Sequence, residues 1–170
     1  MNTLEELVPE VLETVAAWLS KQEINQWLTS DWRDRKVDSK TLALVVRNKR
    51  NRLFLVKHQG QACGLVGLAD IDQGDRTGMV WYVLGEHALS SRGIMTDAVK
   101  QLVKTAFVEF GLASLYAWIM EDNLRSRRVL EKAGFREAGR IRKATYSSGA
   151  VVDRIYFDIL PEPDSGSHFG

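Results

Sequence analysis

The chain is poor in the residue types that carry several kinds of chemistry. Of its 170 residues, one is cysteine and three are histidine. Cys63 has no partner for an internal disulfide, and it lies in the apolar run QACGLVGLA, so we interpret it as a core residue rather than a nucleophile. His58, His87 and His168 are far apart along the chain, and no cluster of histidines or carboxylates has metal-ligand spacing. We therefore expect neither a disulfide framework nor a metal site.

The chain also lacks an excess of charge of either sign and a long apolar run. Its formal net charge of +1 argues against general nucleic-acid binding. No apolar stretch is long enough to span a membrane, and the N-terminus has no basic segment followed by an apolar one. The composition, 45% hydrophobic and 26% charged, predicts one soluble, cytoplasmic domain over residues 1–160. We expect residues 161–170 to form a disordered tail.

The order of helical and strand-like segments predicts an α/β fold. Apolar residues at helical spacing predict one broken or two short helices between Pro9 and Leu28, whereas the short run Leu42–Val46 fits either a helix or a strand. Three strands, a helix, a strand, a helix and two strands are predicted next, at Arg52–Lys57, Ala62–Ile71, Thr77–Leu84, Thr96–Phe110, Leu115–Met120, Leu124–Lys132, Glu137–Tyr146 and Val151–Leu160. This alternation indicates a mixed sheet with flanking helices.

The stretch HALSSRGIMTDAVKQLV joins a predicted strand to the strongest predicted helix. Gly93 lies just before that helix, and it lets the backbone approach a ligand closely because it has no Cβ. Free N–H groups in the first helical turn, together with the charge of Arg92, suit a diphosphate. The alternative is an ordinary helix start capped by Thr96. The stretch is neither a P-loop nor the three-glycine dinucleotide fingerprint.

A second stretch, LYAWIMEDNLRSRRVLEKAGFREAGR, makes the pattern specific. A predicted strand is followed by Asn123, by Ser126 and by a short helix that ends at Gly134-Phe135. Together, RGIMTDAV and NLRSRRVLEKAGF resemble the two signatures of the GNAT superfamily of N-acetyltransferases, and the closest branch is the RimJ/RimL type. The resemblance runs from about residue 64 to residue 160. It implies a GNAT-like fold, in which helices flank a mixed, mostly antiparallel central sheet.

The resemblance also implies a reaction. The chain would be an acyl-CoA-dependent N-acyltransferase with acetyl-CoA as cosubstrate and no metal, and a primary amine would attack the thioester directly in a ternary complex. The acceptor would be a protein N-terminus or a small molecule, with no nucleic-acid or membrane partner, and a homodimer is compatible with the family. The sequence leaves the acceptor, the acyl chain and the oligomeric state open. A non-catalytic acyl-CoA-binding or sensing module on the same fold is the alternative.

Most of the implied site residues would bind the coenzyme. The diphosphate would be held, mostly through backbone amides, by Arg92, Gly93, Ile94, Met95 and Thr96. The pantetheine arm would meet backbone groups of Val83 and Leu84 and the side chain of Asn123, which can also cap the following helix. Arg128, in a basic cluster with Arg125 and Arg127, would either reach the 3′-phosphate of the coenzyme or face solvent.

The residues that would act on the reacting groups are less determined. Ser126 and Tyr146 are the two catalytic candidates for protonating the departing thiolate; otherwise they are a solvated helix-start serine and a strand tyrosine packed on the sheet. An acidic residue common on the third strand of the family is replaced by Met79, which leaves the general base unassigned. Glu86 and His87 are weaker candidates for that base. Trp27 and Trp32 either line an acceptor pocket or belong to the core.

Overall fold

A seven-stranded sheet runs through the centre of the protein, with helices on both faces. The computed structural model describes residues 1–33 and 36–163. The strands are β1 (Asn2–Glu6), β2 (Arg52–His58), β3 (Gln61–Asp72), β4 (Thr77–Leu84), β5 (Ser114–Met120), β6 (Arg136–Ser147) and β7 (Ala150–Ile159). The helices are α1 (Leu12–Ser20), α2 (Gln22–Asn25), α3 (Ser30–Arg33), α4 (Ser39–Arg47), α5 (Ile94–Val108) and α6 (Leu124–Lys132), with 3₁₀ turns at Pro9–Val11 and His87–Leu89.

The strands lie in the order β1-β2-β3-β4-β5-β7-β6. Every neighbouring pair is antiparallel except β4 and β5, which run parallel and are connected through α5. The predicted mixed, mostly antiparallel sheet is therefore confirmed. The strand expected at Thr77–Leu84 and the helix expected at Leu124–Lys132 have the predicted bounds. The other elements predicted after residue 52 differ from the structure by one or two residues at their ends.

The N-terminal region holds a strand that the residue pattern alone did not predict. The run NTLEE has no alternation of apolar and polar residues, yet β1 pairs with β2 along the edge of the sheet. Contacts from two other elements hold it there: Glu5 forms a 2.6 Å ion pair with Lys57 of β2, and Gln101 of α5 donates a hydrogen bond to the carbonyl of Asn2. This strand exists because of its partners, and its own sequence does not specify it.

The ambiguous run Leu42–Val46 lies in a helix, α4. Asp38 caps that helix, since its Oδ1 accepts a hydrogen bond of 2.7 Å from the N–H of Thr41. Leu42 is fully buried against the sheet, so the apolar run is one face of a helix. One broken or two short helices were expected between Pro9 and Leu28, and the structure has two, α1 and α2.

The core has one layer on each face of the sheet. On one face α5 and α6 pack around Leu102 and Leu130, and on the other α1 and α4 pack around Leu19 and Leu42. Cys63 is fully buried in the first layer, where its thiol lies 3.4 Å from the carbonyl oxygen of Val56, in agreement with a structural role. Of the expected tail, residues 161–163 are in neither a helix nor a strand, and residues 164–170 lie outside the described part of the chain.

Candidate active site

A cleft opens in the middle of the sheet where β4 and β5 separate. The two strands pair only through residues 77–79 of β4 and 114–116 of β5, after which they diverge. β5 continues to pair with β7 through Met120, so the gap lies on one side of β5 only. The resulting cleft has a volume of about 1230 Å³. Single-ligand pockets usually occupy roughly 300–1,000 Å³, so this cleft is large enough for two reactants.

The diverging end of β4 presents unpaired backbone groups to this cleft. Two hydrogen bonds at the ends of β4 show which neighbour its backbone groups face. The N–H of Gly85 donates to the carbonyl of Cys63 in β3 at 2.8 Å, and the carbonyl of Arg76 accepts from the N–H of Ala113, just before β5, at 2.7 Å. Backbone groups alternate in direction along a strand, so the N–H and C=O of Leu84 point toward the gap and those of Val83 point toward β3. Both residues border the cleft, but only Leu84 directs its backbone polar groups into it.

The loop before α5 opens on the same cleft. Gly93 adopts a left-handed conformation, φ 73°, immediately before the first residue of the helix, and no side chain of the described residues caps that helix. The first intrahelical bond formed here runs from the N–H of Asp97 to the carbonyl of Gly93, which leaves the N–H groups of residues 94–96 without helical partners. A Cβ built on Gly93 would meet no atom within 4 Å, so the space beside it is open.

All five predicted diphosphate-binding residues line the cleft: Arg92, Gly93, Ile94, Met95 and Thr96. The side chains of Ile94 and Met95 are buried in the core, at 2% and 7% exposure, so these residues offer only their backbone to a ligand. The positive end of the α5 dipole points into the same space. An anion is the ligand that this arrangement favours.

The start of α6 forms the opposite wall. Asn123 caps this helix, with its Oδ1 accepting from the N–H of Ser126 at 3.2 Å, and both residues line the cleft. The hydroxyl of Ser126 lies 2.6 Å from that of Tyr82, which also donates to the Ser126 carbonyl at 3.0 Å. Burial raises the pKa of Tyr82 well above its ordinary value of 10.0, although the hydrogen bond to Ser126 opposes this. The sequence analysis did not identify Tyr82. The residue pattern of β4 does not show that this side chain lies opposite Ser126.

The basic cluster on α6 divides between two surfaces. Arg125 and Arg128 line the cleft, together with Arg92. Arg127 lies elsewhere, because its guanidinium binds Glu137 at 2.8 Å and Glu131 at 3.4 Å. These carboxylates raise the pKa of Arg127 further, chiefly through the hydrogen bond that its guanidinium donates to Glu137. Arg125 and Arg128 thus lie on the cleft side of α6, and Arg127 is paired with carboxylates outside the cleft.

The second catalytic candidate, Tyr146, does not meet Ser126 in the structure. It lies near the end of β6, 65% exposed, and it is not among the residues that line the cleft. Its carbonyl oxygen accepts a hydrogen bond from Arg33 of α3. Of the two candidates for the base, His87 lines the cleft, whereas Glu86 is turned toward Trp18 and accepts a 3.0 Å hydrogen bond from its indole.

Elements other than α5 and α6 contribute aromatic and acidic side chains to the cleft. Four indoles line it, which together we term the tryptophan wall: Trp27, Trp32, Trp81 and Trp118. Glu23, Asp31 and Asp70 line it as well, and so does Met79 of β4. The arginines and the free helical N–H groups come from the starts of α5 and α6, which we term the basic half of the cleft, where Asp122 also lines it.

Residues 1–33 and 36–163 have neither a metal-binding cluster nor a membrane-spanning helix. No group of three or more histidine, cysteine or carboxylate side chains lies close enough together there to hold a metal ion. No helix in that part of the chain is both long and apolar enough to cross a membrane.

Comparison with known proteins identifies the class. The family described as "Acetyltransferase (GNAT) domain" matches residues 3–136, and the chain belongs to this family. It is 40% identical over 102 residues to the "Probable N-acetyltransferase YjcK" of Bacillus subtilis and 31% identical over 103 residues to the "Putative ribosomal N-acetyltransferase YdaF" of the same organism. These alignments cover 59% and 61% of this chain, and 56% of the length of each relative.

A solved structure supports the fold. RimJ from Mycobacterium smegmatis, in complex with CoA-disulfide, superposes with a TM-score of 0.80 over 95% of this chain and 82% of that chain. The two sequences are 21% identical, so the likeness concerns the fold.

Proposed function

We propose that the protein is an acetyl-CoA-dependent N-acetyltransferase that transfers the acetyl group directly to a primary amine. One observation supports this most strongly: the uncapped first turn of α5 and the free backbone groups of Leu84 open on one cleft. The first suits the diphosphate of the coenzyme, and the second suits its pantetheine arm and thioester. The family membership supports the same reaction.

The coenzyme would be held along the basic half of the cleft. The N–H groups of residues 94–96 would bind the diphosphate, with Arg92 adding charge, and Arg128 would reach the 3′-phosphate. The pantetheine arm would then lie between the diverging strands, where the backbone of Leu84 and the side-chain amide of Asn123 offer hydrogen bonds. The Oδ1 of Asn123 is used by the helix cap, so its Nδ2 is the group left for the ligand.

The reaction would take place near Leu84. The N–H of Leu84 is a fixed donor for the negative charge that develops on the thioester oxygen as the amine attacks. The carbon–sulfur bond then breaks, and the thiolate leaves with both electrons of that bond. Ser126 would donate a hydrogen bond to the leaving sulfur, oriented by Tyr82. Holding both reactants in one cleft supplies much of the acceleration by removing entropy from the barrier.

The proton of the acceptor ammonium would leave through water. Met79 occupies the strand position where a carboxylate is common in the family, and Glu86 is engaged with Trp18. His87 borders the cleft and is the side chain best placed to begin such a water chain. We further propose that the protein is cytoplasmic and a homodimer, and that its acceptor is a protein N-terminus or a small amine.

A thiol-release assay with acetyl-CoA and a panel of primary amines tests this function. We expect amine-dependent release of free coenzyme A together with calorimetric binding of acetyl-CoA. Tight binding with no release for any amine, protein N-termini included, would overturn the transferase proposal and favour the non-catalytic acyl-CoA-binding module. The absence of binding would reject both.

A further inference from the structure

The tryptophan wall is assembled from three separate segments of the chain. Trp27 and Trp32 come from the α2–α3 region, Trp81 from β4 and Trp118 from β5, and each is partly buried in the cleft. The rings of Trp32 and Trp81 have centroids 5.4 Å apart and planes inclined by 33°. The two rings pack on each other, and because both line the cleft they contribute one continuous aromatic surface, on which a flat apolar group can pack.

Contacts outside the cleft hold the wall in place. The guanidinium of Arg154 stacks over Trp118, 4.0 Å from the ring centroid, and its Nε donates to the hydroxyl of the buried Thr145 at 2.5 Å. At the other side, Arg33 directly follows Trp32 and donates a hydrogen bond to the backbone of β6, which ties α3 to the far edge of the sheet. The wall is therefore preorganised, and a ligand loses less freedom on binding to it.

We infer that the acceptor is a primary amine with a flat apolar group a few bonds from its nitrogen, and that Trp32 and Trp81 select it. Trp81 is three residues before Leu84 on β4, so its backbone is about 10 Å from the proposed site of transfer. The Trp81 indole lies beside Gly67 of β3, where a Cβ built on the glycine would meet its Nε1 at 3.1 Å, so the acceptor itself has to span the distance to the site of transfer. The inference rests on the proposed function, because it assigns the acceptor of that reaction.

Three carboxylates that line the cleft, Glu23, Asp31 and Asp70, favour a different acceptor, a linear polyamine. Asp70 is one of them, but its side chain is 62% exposed and already lies 4.0 Å from a guanidinium nitrogen of Arg50. Exposed charges of this kind contribute little to specific binding because water and salt screen them. When a ring of the acceptor covers the partly buried indoles, apolar surface is removed from water. This contributes more to the binding free energy than the exposed charges do.

A competition between matched amines tests the inference. We would measure acetyl transfer to phenethylamine, to n-hexylamine and to spermidine, and to peptides that begin with phenylalanine or alanine. We expect kcat/KM for phenethylamine to exceed that for n-hexylamine by roughly tenfold, corresponding to about 1.4 kcal/mol of differential binding. The ratio of kcat/KM for the phenylalanine peptide to that for the alanine peptide can be compared with the ratio for phenethylamine to n-hexylamine. A larger ratio for the peptides would identify a protein N-terminus as the source of the ring.

Two pairs of variants separate ring recognition from general damage. Trp32→Leu and Trp81→Leu remove the flat surface at similar hydrophobicity, and we expect both to bring the phenethylamine-to-hexylamine ratio close to one. Trp32→Phe and Trp81→Phe keep a ring and should retain most of the preference. Trp32 lies on a peripheral helix, so its variants remain informative if those of Trp81 unfold. A ratio near one in the unmodified protein, a preference for spermidine, or leucine variants that keep the ratio would overturn the inference.

The same amines can be followed by binding alone. Calorimetry of phenethylamine against the coenzyme A complex should show binding that weakens in Trp32→Leu and is retained in Trp32→Phe. If no amine is acetylated but this pattern holds, the transferase proposal fails while the selective surface stands. If phenethylamine binds no better than n-hexylamine, the selective surface is rejected whether or not transfer occurs.

Discussion

The hydroxyls of Tyr82 and Ser126 lie 2.6 Å apart and join β4 to α6 across the cleft. The Tyr82 hydroxyl also lies 3.0 Å from the carbonyl of Ser126, which is a second acceptor for the same proton. Tyr82 has one hydroxyl proton, so the proton of Ser126 is left for a ligand in the cleft when Tyr82 donates to the Ser126 hydroxyl and not to the carbonyl. Tyr146, in contrast, is exposed and outside the cleft. The geometry therefore favours Ser126 as the group that meets the leaving thiolate.

Replacement of Ser126 should lower turnover more than replacement of Tyr146. We expect Ser126→Ala to reduce kcat by roughly a hundredfold, as for a lost proton donor, with little change in the affinity for acetyl-CoA. Tyr82→Phe should reduce kcat by about fivefold, because it only removes the hydrogen bond that orients the serine. Steady-state kinetics measure both effects, and Tyr146→Phe is the matched control on an exposed tyrosine. A large loss in Tyr146→Phe with Ser126→Ala unaffected would reverse the assignment.

Tyr82 should also make stability depend on alkaline pH. Its pKa is raised in the folded state by burial, so above about pH 10 the unfolded chain loses the proton that the folded chain keeps. The stabilisation is fully present below pH 10 and is lost as the pH rises further, by at most about 1.4 kcal/mol per pH unit. Denaturant unfolding between pH 9 and 11 should show a shallower decline in Tyr82→Phe than in Tyr146→Phe. Parallel declines would contradict the predicted shift.

Coenzyme binding should depend on open space beside Gly93. We expect Gly93→Glu to abolish acetyl-CoA binding in a folded protein, because the added carboxylate would occupy the place of the diphosphate and repel it. Gly60→Glu is a matched control, since Gly60 also has a positive φ, 81°, and a Cβ there also meets nothing within 4 Å. Calorimetry with both variants separates backbone strain from loss of the ligand site. Equal affinities for acetyl-CoA in the two variants would remove the proposed diphosphate site.

The arginines of α6 should differ in their effect on the coenzyme. Arg128→Ala should weaken binding of coenzyme A by about fivefold and leave binding of dephospho-coenzyme A almost unchanged, if it contacts the 3′-phosphate. Arg127→Ala is the control, because its guanidinium is already paired with Glu137 and Glu131 and should affect stability instead. Equal losses for the two ligands in Arg128→Ala would indicate a different partner for this arginine.

Transfer should follow sequential kinetics and need no covalent enzyme intermediate. Cys63 is fully buried, and burial raises the pKa of its thiol, so it is a poor nucleophile. Double-reciprocal plots at several amine concentrations should intersect, and Cys63→Ala should retain transfer with some loss of thermal stability. Parallel lines, or an acetylated protein isolated in the absence of amine, would contradict direct transfer.

Local patterns in the sequence determined much of the fold and half of the candidate site. The apolar run TGMVWYVL predicted β4, and Asn123 and Gly134 at the two ends of α6 predicted that helix, both with their observed bounds. The unpaired N–H groups after Gly93 were also predictable from the sequence, since they are a local property of a helix start, and their use as an anion site stays a prediction.

Only the tertiary structure decided which residues meet across the cleft. β1 has no strand pattern of its own and forms because β2 supplies a partner along the sheet edge. Tyr82 and Ser126 are 44 residues apart, and the tryptophan wall draws on segments separated by more than 80 residues. The division between Arg127 and Arg128 likewise depends on which carboxylates α6 packs beside. Such contacts depend on strand order and helix packing, which bring distant segments together and which no local pattern of residues encodes.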